Sequence, residues 1–124
     1  MGTDTLVFVR KSQLSKLLRE DWDDFIFLVN VAYWRWYRFE QNFDLEFENV
    51  KKITSKELVK RLAEMETKIK DRRKWVEILS KYDIVFCADT VYFKDKDYVE
   101  IFEFKEKMVG FVDDNLKEVI KFGK

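Results

Sequence analysis

Apolar and polar positions along the chain follow two rhythms, and the changes between them mark out the elements. Leu6 to Val9 is a short apolar run that reads as a strand or an extended arm. Ser12 stands where a cap would open a short helix through about Arg19, with Leu14, Leu17 and Leu18 along one side. Asp21, Asp23 and Asp24 then cluster about Trp22, at a helix start where the macrodipole favours carboxylates. Phe25, Ile26, Leu28, Val29, Ala32, Tyr33, Trp36 and Tyr37 recur at helical spacing, which predicts one long helix over 22–40. Phe27 and Trp34 fall outside that stripe, and a helix that is apolar on more than one face is buried on more than one face.

The rhythm changes to strict alternation at Phe43-Asp44-Leu45-Glu46-Phe47-Glu48, which predicts a half-buried strand with Phe43, Leu45 and Phe47 inward. Thr54-Ser55-Lys56-Glu57 has the spacing of a capping box. Leu58, Leu62 and Met65, with Val59 beside them, give the next helix its apolar face, ending near 64–66. Thr67 stands as the following cap. Ile69, Val76, Leu79 and Tyr82 mark the face of a third helix, with Trp75 and Ile78 at its margins. Ile84–Cys87 and Thr90–Phe93 are β-prone runs on either side of Ala88-Asp89, the pattern of a hairpin, although Ala-Asp is not a preferred turn pair. Further on, Tyr98, Ile101, Phe102, Met108, Val109, Val112, Leu116, Val119 and Ile120 keep helical spacing, with Asp97 and Glu100 in capping-box positions. Val99 to Phe104 also reads as a strand. The helical reading is favoured, with a bend near Gly110.

Composition narrows the function classes. At 124 residues the chain is one domain, 1–124. It holds no His and one Cys (Cys87). That excludes His-dependent hydrolysis, a cysteine zinc cluster and an internal disulfide. No metal and no cofactor is expected. The start of the chain lacks the pattern of a signal peptide, and the richest apolar window, Phe25 to Tyr37, is interrupted by Asn30 and Arg35. A free Cys fits a reducing cytosol, so a cytoplasmic location is expected. Abundant Lys and Glu with scarce Gln lean towards a thermophilic source.

The formal net charge is zero, but the charge is segregated. Residues 1–50 hold six basic and nine acidic groups, 51–81 hold eleven basic and five acidic, and 82–118 hold five basic and ten acidic. A polyanion would be drawn to the middle segment and repelled by its flanks.

The order of elements from residue 22 (helix, strand, helix, helix, strand, strand) resembles a winged helix-turn-helix DNA-binding domain. The residues that carry the resemblance are Ile53-Thr54-Ser55-Lys56-Glu57-Leu58-Val59-Lys60-Arg61-Leu62-Ala63, similar to the opening of the second helix in many such domains. The basic helix after it and the hairpin Ile84 to Phe93 complete the pattern. The implied fold is α+β, with a winged-helix core at about 22–94, a long aromatic-rich first helix, an N-terminal arm or helix over 1–21 and a helical C-terminal segment over 95–124. Two positions depart from the family pattern. Ala63-Glu64-Met65-Glu66 stands where a Gly or small polar turn is common, and Asp83 stands where Gly often precedes the first wing strand.

The resemblance implies that Lys68, Lys70, Arg72, Arg73 and Lys74 lie on a recognition helix in the major groove. Arg is the side chain that pairs bidentately with guanine. Lys51, Lys52 and Lys56 would make phosphate contacts that set the register. The expected function is therefore non-catalytic binding of duplex DNA, as a dimeric transcriptional regulator. Surplus apolar surface at Phe27, Trp34, Met108, Val112, Leu116, Val119 and Ile120 would form the homodimer interface. The alternative on the same fold is a protein-interaction module, such as a viral inhibitor or adaptor, that uses acidic and aromatic surfaces to bind a protein partner.

Other chemistry finds less support. The pairs Asp23/Asp24, Asp95/Asp97 and Asp113/Asp114 read as exposed caps and turns rather than an acid–base pair. Asp95-Lys96-Asp97 lacks the Gly and closing Glu of a calcium loop. Cys87, in a predicted strand, reads as a small hydrophobe. Trp34, Trp36, Tyr37 and Phe39 interleaved with Arg35 and Arg38 would suit base stacking, but at helical spacing they read first as core and interface.

Overall fold

The computed structural model describes residues 4–32, 35–45, 47–64 and 72–101, the side chains of 30–32 excepted. In chain order the elements are β1 (Leu6–Arg10), a 3-10 turn (Lys11–Gln13), α1 (Leu14–Lys16), a π-helical turn (Leu17–Asp21), α2 (Trp22–Ala32) and α3 (Trp36–Asn42). After these come β2 (Lys52–Thr54), α4 (Ser55–Glu64), α5 (Arg72–Lys81), β3 (Ile84–Cys87), a 3-10 turn (Thr90–Tyr92) and β4 (Tyr98–Glu100). The architecture is α+β: the strands form one antiparallel sheet in the order β2-β3-β1-β4.

The register sorts the side chains onto two faces. Val7 lies opposite Phe86, Val9 opposite Ile84 and Val99, and Ile53 opposite Phe86. Apart from the half-buried Val99, all of these are buried beneath the helices. Phe86 sits 5.1 Å from the Phe39 ring of α3 and 6.3 Å from the Trp75 ring of α5. Phe43 meets Trp75 edge-on at 5.1 Å and Phe39 at 4.6 Å. This aromatic group joins α3, α5 and the sheet. Aromatic pairs at such distances contribute about 0.5–1.5 kcal/mol each beyond the area they bury. On the opposite face Phe93 packs on Phe8 (5.1 Å) and edge-on to Tyr98 (5.0 Å).

β1 takes an inner position between β3 and β4, so Leu6 to Val9 is a strand and not an arm. The sheet thus draws on residues outside the 22–94 stretch. β1 also explains why the expected Ile84–Phe93 hairpin does not form. With β2 on its other side, both edges of β3 are already paired, and none is left for a hairpin partner. Asp89 instead accepts from the Val91 amide (3.3 Å) and opens the Thr90–Tyr92 turn. The free edge of β1 takes Tyr98–Glu100 as a strand, which corrects the helical reading there. Asp95 accepts from the Asp97 amide (2.9 Å) in a turn ahead of that strand, in place of a helix cap. Residues 102–124 lie outside the described residues, and the helical reading of that stretch with them.

The single long helix expected over 22–40 is two helices. Arg35 is extended (φ −58°, ψ 145°) and bridges to Asp4. A 19-residue helix would run about 28 Å, whereas a five-residue strand spans about 17 Å. After the break Phe39 of α3 meets Phe86 of the sheet, while α2 packs on α5 and the π-helical turn. The expected strand over 43–48 is replaced by a helix end. Leu45 N donates to Glu40 O (2.6 Å) and Asp44 N to Gln41 O (3.2 Å), with Asp44 left-handed at φ 54°. These are the two bonds of a Schellman motif, whose usual apolar contact places Leu45 in the core. Phe43 and Leu45 are buried as expected, but Phe47 is 88% exposed.

The short helix expected after Ser12 is present, but without a Ser12 cap: a 3-10 turn starts it directly from β1, and Leu14, Leu17 and Leu18 are buried as expected.

Candidate nucleic-acid interface

The α4–α5 pair is built from its caps outward. Thr54 Oγ1 accepts from the Glu57 amide (3.2 Å) and donates to the Glu57 carboxylate (2.9 Å), so half of the expected capping box forms in its usual way. Ser55 is buried and donates to Tyr82 O (2.9 Å), while the Ile84 amide donates to its hydroxyl (3.1 Å). One hydroxyl thereby ties the start of α4 to the exit of α5 and the entry of β3. Leu58 and Leu62 of α4 are buried as expected, and Met65 lies outside the described residues. On α5 the buried face centres on Trp75, Ile78 and Leu79, with Val76 at its edge. The margins of the expected stripe are its centre, because α5 packs against α4, α2 and the aromatic group at once.

This packing turns the cations outward. Lys51, Lys52, Lys56, Lys60, Arg73 and Lys74 are exposed and Arg72 is half-buried. Among the described residues the ion pairs are Arg10–Asp83 (2.7 Å), Arg61–Glu48, Lys74–Asp24 (3.6 Å) and Lys81–Asp21 (3.3 Å). Lys51, Lys52, Lys56, Lys60, Arg72 and Arg73 thus have no carboxylate partner among the described residues. Lys52 lies over the Phe93 ring at 5.8 Å. Lys74 is doubly engaged, with Asp24 and over Phe27 at 5.6 Å. Lys68 and Lys70 lie outside the described residues, as do Thr67 and Ile69.

Of the expected dimer residues, Phe27 is 45% exposed on α2. Trp34, Met108, Val112, Leu116, Val119 and Ile120 lie outside the described residues. Base stacking by Trp36 and Phe39 is incompatible with their burial, at 3% and 0% exposed. Tyr37 is exposed and accepts from Arg38 Nε (3.3 Å), which holds its phenol below the ordinary range.

Two clusters absent from the sequence reading flank the helix pair. The π-helical turn ends at Asp21, whose carboxylate accepts from Tyr82 Oη and from Lys81 Nζ. Burial alone would raise the Asp21 carboxyl, but those two donors outweigh it and hold it below the usual carboxylate range. Burial first, then Asp21, pushes the Tyr82 phenol up. The second cluster is Arg10, which donates to Asp83 (2.7 Å) and to Tyr98 Oη (2.7 Å) and is held more basic by the Asp83 bond. The sequence marks Asp21 only as part of an acidic helix start; its partners lie 60 and 61 residues away, and no local pattern announces them. Burial pushes the Cys87 thiol up to about 11, which keeps it a thiol at neutral pH.

Among the described residues no group of His, Cys, Asp and Glu could hold a metal ion, and no helix is long and apolar enough to cross a membrane. No protein-family model, curated protein or solved structure matches the chain.

Proposed function

We propose that the chain binds duplex DNA without catalysis, as a dimeric transcriptional regulator, through the outward cations of α4, α5 and the strand entry before α4. One observation carries the reading. Among the described residues Lys51, Lys56, Lys60, Arg72 and Arg73 meet no carboxylate, whereas ion pairs there take up Arg10, Arg61, Lys74 and Lys81. Unpaired cations on a braced helix pair can displace counterions from phosphate without first breaking an internal pair. In this reading the arginines at the start of α5 approach base edges, and Lys51 and Lys56 set the register on the backbone. The wing has no part, since Thr90–Tyr92 is a 3-10 turn with Asp89 at its head. A two-fold dimer would set two α5 helices on neighbouring half-sites.

Titration of the full chain with duplex DNA at rising salt tests this. About five phosphate contacts would weaken binding by about 10²–10³-fold between 50 and 200 mM salt. Replacing Lys56, Arg72 and Arg73 together by Ala is expected to abolish binding with the fold intact, while Lys74→Ala leaves most of it. Binding that is absent at low salt would overturn the reading in favour of the protein-interaction alternative. Sedimentation of a monomer at high micromolar concentration would remove the dimer.

A further inference from the structure

Phe47 is the most exposed of the large hydrophobic side chains among the described residues, at 88%. The loop that presents it is tethered at both ends and beneath. Its start is the Schellman end of α3. Arg61 of α4 donates to Asp44 O (3.1 Å) and to the Glu48 carboxylate. Glu48 N donates to Leu45 O (3.0 Å), closing a turn around Phe47. At the far end Trp36 Nε1 donates to Val50 O (3.2 Å), and Asn49 adopts a second left-handed conformation at φ 53°. Asp and Asn tolerate that region better than other non-glycine residues, so the two bends are built into the sequence. A loop held in this way has little freedom left to lose when a partner covers its tip, and contact made by the ring goes largely into affinity.

Charge indicates what covers it. Residues 44–49 carry Asp44, Glu46 and Glu48 and no Lys or Arg. The one cation that reaches the loop among the described residues, Arg61, is already bound to Glu48. The net negative charge of this stretch repels nucleic acid and anionic membrane and steers a basic partner into place. We propose that Phe47 is the central anchor of a protein–protein interface, inserting into a phenyl-sized apolar pocket rimmed by Lys or Arg on a different folded protein. This interface is separate from the DNA reading and uses none of the unpaired cations assigned there.

The test places a photoreactive analogue in the full chain, Phe47→p-benzoylphenylalanine, within the cells that make the protein, with the same analogue at exposed Thr90 as control. The expected result is one discrete protein adduct from position 47 and none from position 90. The crosslink maps to apolar residues flanked by Lys or Arg. With that protein purified, Phe47→Ala is expected to weaken binding by about 30-fold or more, the loss typical of a buried aromatic anchor. Phe47→Leu restores part of it, and higher salt weakens the wild-type complex. An absent adduct, an adduct to nucleic acid or to a second copy of this chain, or equal affinity for Phe47→Ala overturns the proposal. Duplex DNA affinity is unchanged in Phe47→Ala, so failure of either idea leaves the other standing.

Discussion

Phe43 and Phe47 stand four residues apart in one alternating stretch, yet the first is fully buried and the second lies in solvent. The backbone between them accounts for the difference. Phe43 caps the end of α3 and faces Trp75, whereas Phe47 comes after the left-handed turn at Asp44 and lies within the turn that returns Glu48 to Leu45. Alternation of period two is written both by a strand and by a helix end whose cap places a side chain in the core two residues on. The two are told apart by the segment after the alternation, which here is a loop.

The largest test of this contrast sets Trp75→Ala against Phe47→Ala. Removing Trp75 opens a cavity beside Phe43 and Phe86 and is expected to cost about 3–5 kcal/mol in chemical denaturation. Phe47→Ala is expected to stay within about 0.5 kcal/mol of wild type. A large loss at Phe47 would mean that the ring packs within the fold. Next in size is Ser55→Ala, which leaves Tyr82 O and the Ile84 amide without their buried partner and is expected to cost about 1–3 kcal/mol. An unchanged stability there would show that the link from α4 to β3 rests on packing alone.

The smallest effects depend on pH. Asp21 has its carboxyl lowered in the folded chain, so its contribution is present above the ordinary carboxylate pKa of about 3.9 and is lost as pH falls through the folded value. Melting curves of Asp21→Asn and wild type should therefore converge in acid and separate towards neutral pH. Tyr82 and Cys87 shift the other way: their raised values favour the protonated forms, so the fold loses stability as pH rises past about 8.5 for the thiol and about 10 for the phenol. A thiol reagent at pH 8 should therefore leave Cys87 unmodified until the chain is unfolded. Rapid labelling of the native protein would show that this strand opens.

Local rules in the sequence determined the short helical stretch that buries Leu14, Leu17 and Leu18, the helices over 55–64 and 72–81, the acidic start of α2 and the Thr54–Glu57 cap. Each of these is set by side-chain periodicity or by a cap within four residues, and short-range sterics and hydrogen bonds suffice to place it. The segregation of charge was equally legible, because it is a count. Tertiary structure decided which strand β3 would accept, where the long aromatic helix breaks, and that Asp21 meets Tyr82 across 61 residues. The reason is competition for one surface. Each edge of β3 and the area over a short sheet can be used once, and which segment takes them depends on the whole chain.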